Sequence, residues 1–149
     1  MTPLQVGDKA PNISGTDHDG NSVAISDFLG KKLVIFFYPK ANTPGCTAEA
    51  CDFRDQFEAF RELDIQVVGI SRDNIATHHK FKKEHRLPFE LLSDASGKVC
   101  KSYDALIPLV NMPKRVTYLL DSEHKIAGIY EGLFENKSHV DAMLRKLKK

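Results

Sequence analysis

Six consecutive apolar or aromatic residues, Leu33-Val34-Ile35-Phe36-Phe37-Tyr38, are followed by the Pro/Gly-bearing stretch P-K-A-N-T-P-G and then by Cys46. An apolar run of this length bounded by turn residues reads as a strand buried on both faces. Beyond it Cys46, Ala50, Phe53, Phe57 and Phe60 recur at i, i+4, i+7, i+11 and i+14, the spacing of one stripe of a helix. The chain therefore passes from a buried strand through a tight turn into an amphipathic helix, with a thiol at the head of the helix. Exposed first-turn N–H groups and the positive end of the helix macrodipole favour a thiolate over a thiol at such a place.

Cys51 lies five residues further on. In an intact helix it is about 140° round from Cys46 at ~100° per residue, and the two Cα atoms stand roughly 8–9 Å apart. A disulfide needs a Cα separation of about 4.4–6.8 Å. The two thiols can combine only if this part of the helix unwinds, which suits a cysteine that is first oxidised by another agent and then resolved by its neighbour.

The remaining elements follow from the same rules. Ile65–Ser71 reads as a second buried strand, and Asp73 or Asn74 can cap a helix running to His85. Leu87–Leu92 reads as a short strand, with Ser93-Asp94 capping a short helix through Val99 and Tyr103. Strand, helix, strand, helix, strand predicts a parallel core covered by helices. Val116–Leu120 and Ile126–Tyr130 flank a polar turn and predict an antiparallel hairpin. A second hairpin is expected around His18-Asp19-Gly20-Asn21, and Val140, Met143, Leu144 and Leu147 mark a final amphipathic helix. The expected architecture is a single α/β domain over 1–149 with a mixed sheet flanked by helices.

A chain of 149 residues with a formal net charge of +1 gives no reason to invoke nucleic acid or an acidic membrane surface. The N-terminus has neither a basic n-region nor an apolar h-region, and no stretch approaches the ~18 apolar residues of a membrane span. A cytoplasmic protein is the expectation. Three cysteines, two close together and one odd, do not form a secreted disulfide framework; in a reducing compartment a close pair is catalytic, redox-active or metal-binding.

The order of elements, with P-x-x-x-T-x-x-C at Pro39, Thr43 and Cys46, resembles the peroxiredoxins, thiol peroxidases on an elaborated thioredoxin fold. The longer string PKANTPGCTAEACDFRD is similar to the bacterioferritin-comigratory-protein, or Q-type, branch. The resemblance runs from V-G-D-K-A-P at Val6–Pro11 to R-V-T-Y-L-L-D at Arg115–Asp121. It implies that Cys46 attacks hydrogen peroxide or an organic hydroperoxide and becomes a sulfenic acid. Cys51 then closes an intramolecular disulfide, which thioredoxin or a similar dithiol reduces. Pro39 shields the thiolate, Thr43 hydrogen-bonds the reacting groups, and Arg115 supplies a permanent charge with five fixed donors. Backbone N–H groups near Gly45 add fixed dipoles, and Glu49 is a candidate to orient Arg115. No metal or cofactor is implied, and resolution within one chain makes a monomer the expected state.

Cys100 has none of the motif around it and reads as an inert, half-buried thiol, with a backup resolver as the alternative. His78, His79 and His85 are surrounded by lysines, which favours a solvated helix face over a metal site. Two other classes use a cysteine pair near a strand–helix junction. A copper-binding assembly factor would bind copper(I) without turning over peroxide. A thioredoxin-type disulfide oxidoreductase would carry C-x-x-C, which is absent between Cys46 and Cys51.

Overall fold

Strand β3 (Lys32–Phe37) lies near the middle of the fold because both of its faces are apolar. Val34, Phe36 and Tyr38 face one hydrophobic cluster, and Leu33, Ile35 and Phe37 face another. A strand of this kind has to be covered on both sides, and the chain supplies the cover from elements before and after it. In the computed structural model, which describes residues 4–12, 14–41, 43–107 and 112–131, β3 pairs in parallel with β4 (Ile65–Ser71) and antiparallel with β8 (Val116–Leu120).

The sheet order is β2-β1-β5-β4-β3-β8-β9, where β1 is Ser14–Thr16, β2 Ser22–Ala24, β5 Glu90–Ser93 and β9 Ile126–Glu131. Strands β3, β4 and β5 form the parallel core, and two antiparallel hairpins, β1–β2 and β8–β9, extend it at either side. This is a mixed-sheet, thioredoxin-like fold. A further two-stranded ribbon joins β6 (Leu106–Ile107) to β7 (Met112–Pro113). The expected C-terminal helix around Val140–Leu147 lies outside the described residues.

Helices α1 (Pro44–Asp55), α2 (Phe57–Glu62), α3 (Ile75–His85) and α4 (Lys98–Ser102) cover the sheet. Phe53 of α1 stacks on Phe36 with ring centroids 4.6 Å apart, and Phe89 meets Phe36 edge-on at 5.5 Å. Full burial of a Phe contributes about 1.5–3 kcal/mol. Phe36, Phe53 and Phe60, all fully buried, therefore fasten α1 and α2 to the sheet. Gly69 makes room for this stack: a Cβ there would come within 2.6 Å of the Phe36 ring and 2.9 Å of Leu91.

Three expectations need correction. The stripe from Cys46 to Phe60 is not one helix, because the chain breaks at Gln56 (φ −98°, ψ 5°) and restarts as α2. The break re-aims the second segment so that Phe60 still reaches Phe53, at 5.8 Å. The expected strand Leu87–Leu92 is shifted to Glu90–Ser93. Most consequentially, His78 is not on a solvated face; it is fully buried, while His79 is exposed. Asn74 caps α3 by accepting from the Thr77 amide at 2.8 Å, which turns His78 and Phe81 inward together.

The His78 ring sits among the hydroxyls of Tyr38, Ser71 and Ser93, with the Asp73 carboxylate 3.9 Å away. Burial lowers its pKa from 6.5 to about 4, against an opposing pull from Asp73 and with a smaller push from His18. Because the folded value lies below the unfolded one, the stability held by neutral His78 is complete above pH ~6.5 and is lost as pH falls towards ~4. The loss is on the order of 3 kcal/mol. Urea unfolding across this range should show wild type losing stability faster than His78→Gln, so that the gap between them narrows with falling pH. A constant gap contradicts the assignment.

Candidate active site

Cys46 is the third residue of α1, and the helix delivers it to the C-terminal end of β3. Thr43 stands at the N-cap position, with its carbonyl accepting the first i→i−4 bond from the Thr47 amide at 2.9 Å. The amides of Gly45 and Cys46 precede that bond, so no helical carbonyl takes them up. The Thr43 hydroxyl donates to the Lys40 carbonyl at 2.7 Å. Its proton is committed to the turn, and its oxygen lone pairs are left to accept. Pro39 is half-buried where β3 passes into this turn.

Cys46 itself is 1% exposed. Arg115, half-buried immediately before β8, donates from Nη2 to Cys46 Sγ at 3.3 Å. The pairing of β8 with β3 fixes this meeting, since Val116 lies opposite Phe37 at the strand end nearest the turn. The structure thus brings together Cys46, Arg115 and the Thr43 turn at one end of β3. A sulfur at a helix N-terminus beside a permanent guanidinium cation is a site built to hold negative charge. The same donors can stabilise charge passing to an oxygen leaving that sulfur.

Cys51 is half-buried on the same helix, and all three cysteines are free thiols. With α1 continuous from Pro44 to Asp55, the helical separation of about 8–9 Å stands, outside disulfide range. The Glu49 side chain lies outside the described residues. Cys100 is fully buried in α4, more deeply than expected. Burial pushes its thiol far above the ordinary range, and the Asp94 carboxylate beside it pushes further. That carboxylate also accepts from the Val99 and Cys100 amides at 3.1 and 2.8 Å, capping α4.

Among the described residues no group of three or more His, Cys, Asp or Glu side chains is arranged to hold a metal ion. Sequence reasoning gave Ser71 only a place at a strand end, took Asp73 as a possible helix cap and put His78 on a solvated face, whereas the structure joins all three in one hydrogen-bonded cluster that reaches the Ala41 amide of the turn. Ser71 and Asp73 could have been found from topology: Ser71 ends β4, the strand next to β3, Asp73 lies two residues beyond it, and the carboxyl ends of neighbouring parallel strands are where α/β sheets build sites.

The AhpC/TSA family profile matches residues 6–129. The chain belongs to the AhpC/TSA family, the peroxiredoxins. Peroxiredoxin Q of rice (Oryza sativa subsp. japonica), a chloroplastic protein, is 42% identical over 95% of this chain. The chain spans 65% of that relative's length. Peroxiredoxin Bcp of Bacillus subtilis is 40% identical over 97% of the chain and 96% of its own. Among solved structures, peroxidoxin BcpB of Mycobacterium tuberculosis superposes with a TM-score of 0.91 at 36% identity, covering 97% of both chains. This peroxiredoxin therefore sits on the Q/Bcp branch.

The contrast between the second and third cysteines can be measured directly. Native alkylation with iodoacetamide at pH 8 should label Cys51 at least about tenfold faster than Cys100, because only the thiolate reacts and Cys100 is both buried and held as a thiol. Equal labelling rates by peptide mass spectrometry would show that Cys100 is accessible and reactive.

Proposed function

We propose that this peroxiredoxin reduces hydrogen peroxide and organic hydroperoxides with Cys46 as the nucleophile, and that the 3.3 Å contact from Arg115 Nη2 to Cys46 Sγ carries the reading. The Cys46 thiolate attacks the terminal peroxide oxygen and an S–O bond forms as the O–O bond breaks. The departing oxygen takes a proton and leaves as water or an alcohol. Cys46 is left as a sulfenic acid, oxidised by two electrons. Arg115 faces the sulfur throughout, so its charge serves the thiolate before the attack and the leaving oxygen during it. The Thr43 oxygen, with its own proton given to Lys40, is free to accept a hydrogen bond from the incoming peroxide.

Cys51 then attacks the Cys46 sulfenic sulfur, and the hydroxyl leaves as water. The resulting disulfide takes two electrons from an external dithiol, for which we propose thioredoxin, and both thiols return. We propose that Cys46 and Cys51 pair within one chain once α1 opens, so that a monomer suffices for resolution. Pro39 shields the sulfur from water in the closed state, Gly45 contributes its amide, and Glu49 is the proposed partner that steadies Arg115. Among the described residues no helix is long and apolar enough to cross a membrane. The free-thiol chemistry suits a reducing compartment, and we propose the cytoplasm.

Stopped-flow mixing of reduced protein with hydrogen peroxide, with thiol counting and peptide mapping, tests this reading. Wild type should consume two thiols and yield a Cys46–Cys51 bridge, Cys51→Ser should stop at a sulfenic acid and over-oxidise, and Cys46→Ser should be inert. Arg115→Ala should slow the first step by about two orders of magnitude, or ~2.7 kcal/mol of transition-state stabilisation. Wild-type turnover in Cys46→Ser would refute the assignment. A loss below about tenfold in Arg115→Ala would reduce Arg115 to a surface charge.

A further inference from the structure

We infer that Asp73, braced by Ser71 and His78, is a positioning residue for Cys46: it fixes the turn from which α1 starts. The inference rests on the reading of Cys46 as the reactive thiol. The Ala41 amide, in the buried middle of the turn, donates to Asp73 Oδ2 at 2.8 Å. The same carboxylate oxygen accepts from Ser71 Oγ at 2.7 Å. The Asp73 amide donates back to Ser71 Oγ at 3.2 Å.

Proton accounting then settles the histidine. The Ser71 hydroxyl has one proton and gives it to Asp73, so at the 2.7 Å contact between Ser71 Oγ and His78 Nε2 the ring nitrogen is the donor. His78 Nδ1 is left to accept from Ser93 Oγ at 3.2 Å. Tyr38 Oη, 2.9 Å from the same Nε2, is a second acceptor that shares this one ring proton with Ser71. One network therefore grips the turn at two points: Tyr38, where it leaves β3, and Ala41, two residues before Thr43. None of this chemistry touches the peroxide, yet it decides where Thr43 and Cys46 stand.

A second fastening lies beyond Cys51. Phe53 is stacked on Phe36, and Arg54 Nη1 donates to the His85 carbonyl at 2.8 Å, tying α1 to the end of α3. Both cysteines lie between the two fastenings. The segment that opens for disulfide formation is thereby bounded by Ala41 on one side and Phe53–Arg54 on the other. Loosening the Ala41 end should favour the open segment at the expense of the closed one. Buried Cys46 should then be more often exposed and less often set against Arg115.

The test measures two rates on Cys46 in the reduced, full-length protein: oxidation by hydrogen peroxide, and alkylation by iodoacetamide at about pH 10, above the ordinary thiol range, where ionisation no longer depends on the site and the rate reads exposure. Asp73→Ala should lower the first by about tenfold or more and raise the second by a similar factor, with Ile126→Ala separating this from a general loss of stability. Asp73→Asn, which keeps an acceptor for Ala41 and Ser71, should stay within about threefold of wild type on both. Ser71→Ala, which leaves the carboxylate but removes its brace, should fall between and serves if Asp73→Ala does not fold. Ile126→Ala, a loss of packing on the opposite face of the sheet, is the stability control and should move neither rate by more than about twofold. Unchanged alkylation in both Asp73→Ala and Ser71→Ala, or rates that fall together, overturns the positioning role. If wild-type Cys46 resists peroxide while Asp73→Ala still speeds alkylation, the positioning role stands and the peroxidase reading fails.

Discussion

The hydrogen bond from Arg115 to the Cys46 sulfur joins two parts of the chain that are 69 residues apart, and much of the architecture serves to make that meeting possible. Arg115 is placed by β8 pairing beside β3, and Cys46 is placed by the turn that follows β3. The central strand is therefore the common reference for both partners. Its burial on two faces is what makes it rigid enough for that role. A shift of β3 or of the turn by an ångström would separate the charge from the sulfur, and a charge-assisted contact weakens quickly with such a shift.

That requirement conflicts with the demand that the proposed Cys46–Cys51 disulfide makes on the same residues. Holding the sulfur against Arg115 needs an ordered first turn of α1, whereas bringing Cys51 to Cys46 needs that turn undone. The helix resolves the conflict by distributing its stability unevenly. Phe53, stacked on Phe36, is a large apolar anchor, while around Cys46 and Cys51 the exposed or half-buried Pro44, Thr47, Ala48 and Cys51 contribute little burial. Opening the first half of α1 gives up the Ala50 contact and the Arg115 bond but spares the aromatic stack. Local opening of this kind is inexpensive beside global unfolding, which would expose Phe36, Phe53 and Phe60 together.

Much of the fold was legible in the sequence because the relevant signals are local. The run Leu33–Tyr38, the strand Ile65–Ser71, the Asn74 cap and the hairpin beyond Val116 each depend on neighbours within a few residues. The break at Gln56 was not legible, since Phe57 and Phe60 continue the same 3.6-residue phase and periodicity cannot register a restart. His78 was misread for a different reason. Its environment is made by Tyr38, Ser71 and Ser93, which come from three other elements, and the flanking lysines describe only the outer face of α3. Likewise, nothing near Arg115 in the chain marks it as a partner of Cys46; the family resemblance pointed to it, and the pairing of β8 with β3 supplies the geometry.

The central claim is that α1 is folded in the reduced protein and opens between its two fastenings once the cysteines combine. Hydrogen–deuterium exchange, read by mass spectrometry on reduced and peroxide-oxidised protein, tests this most directly. Exchange over residues 43–52 should accelerate by at least about tenfold on oxidation, while peptides covering β3 and α2 remain protected. Equal protection of residues 43–52 in both states, with a Cys46–Cys51 bridge present, would contradict the account.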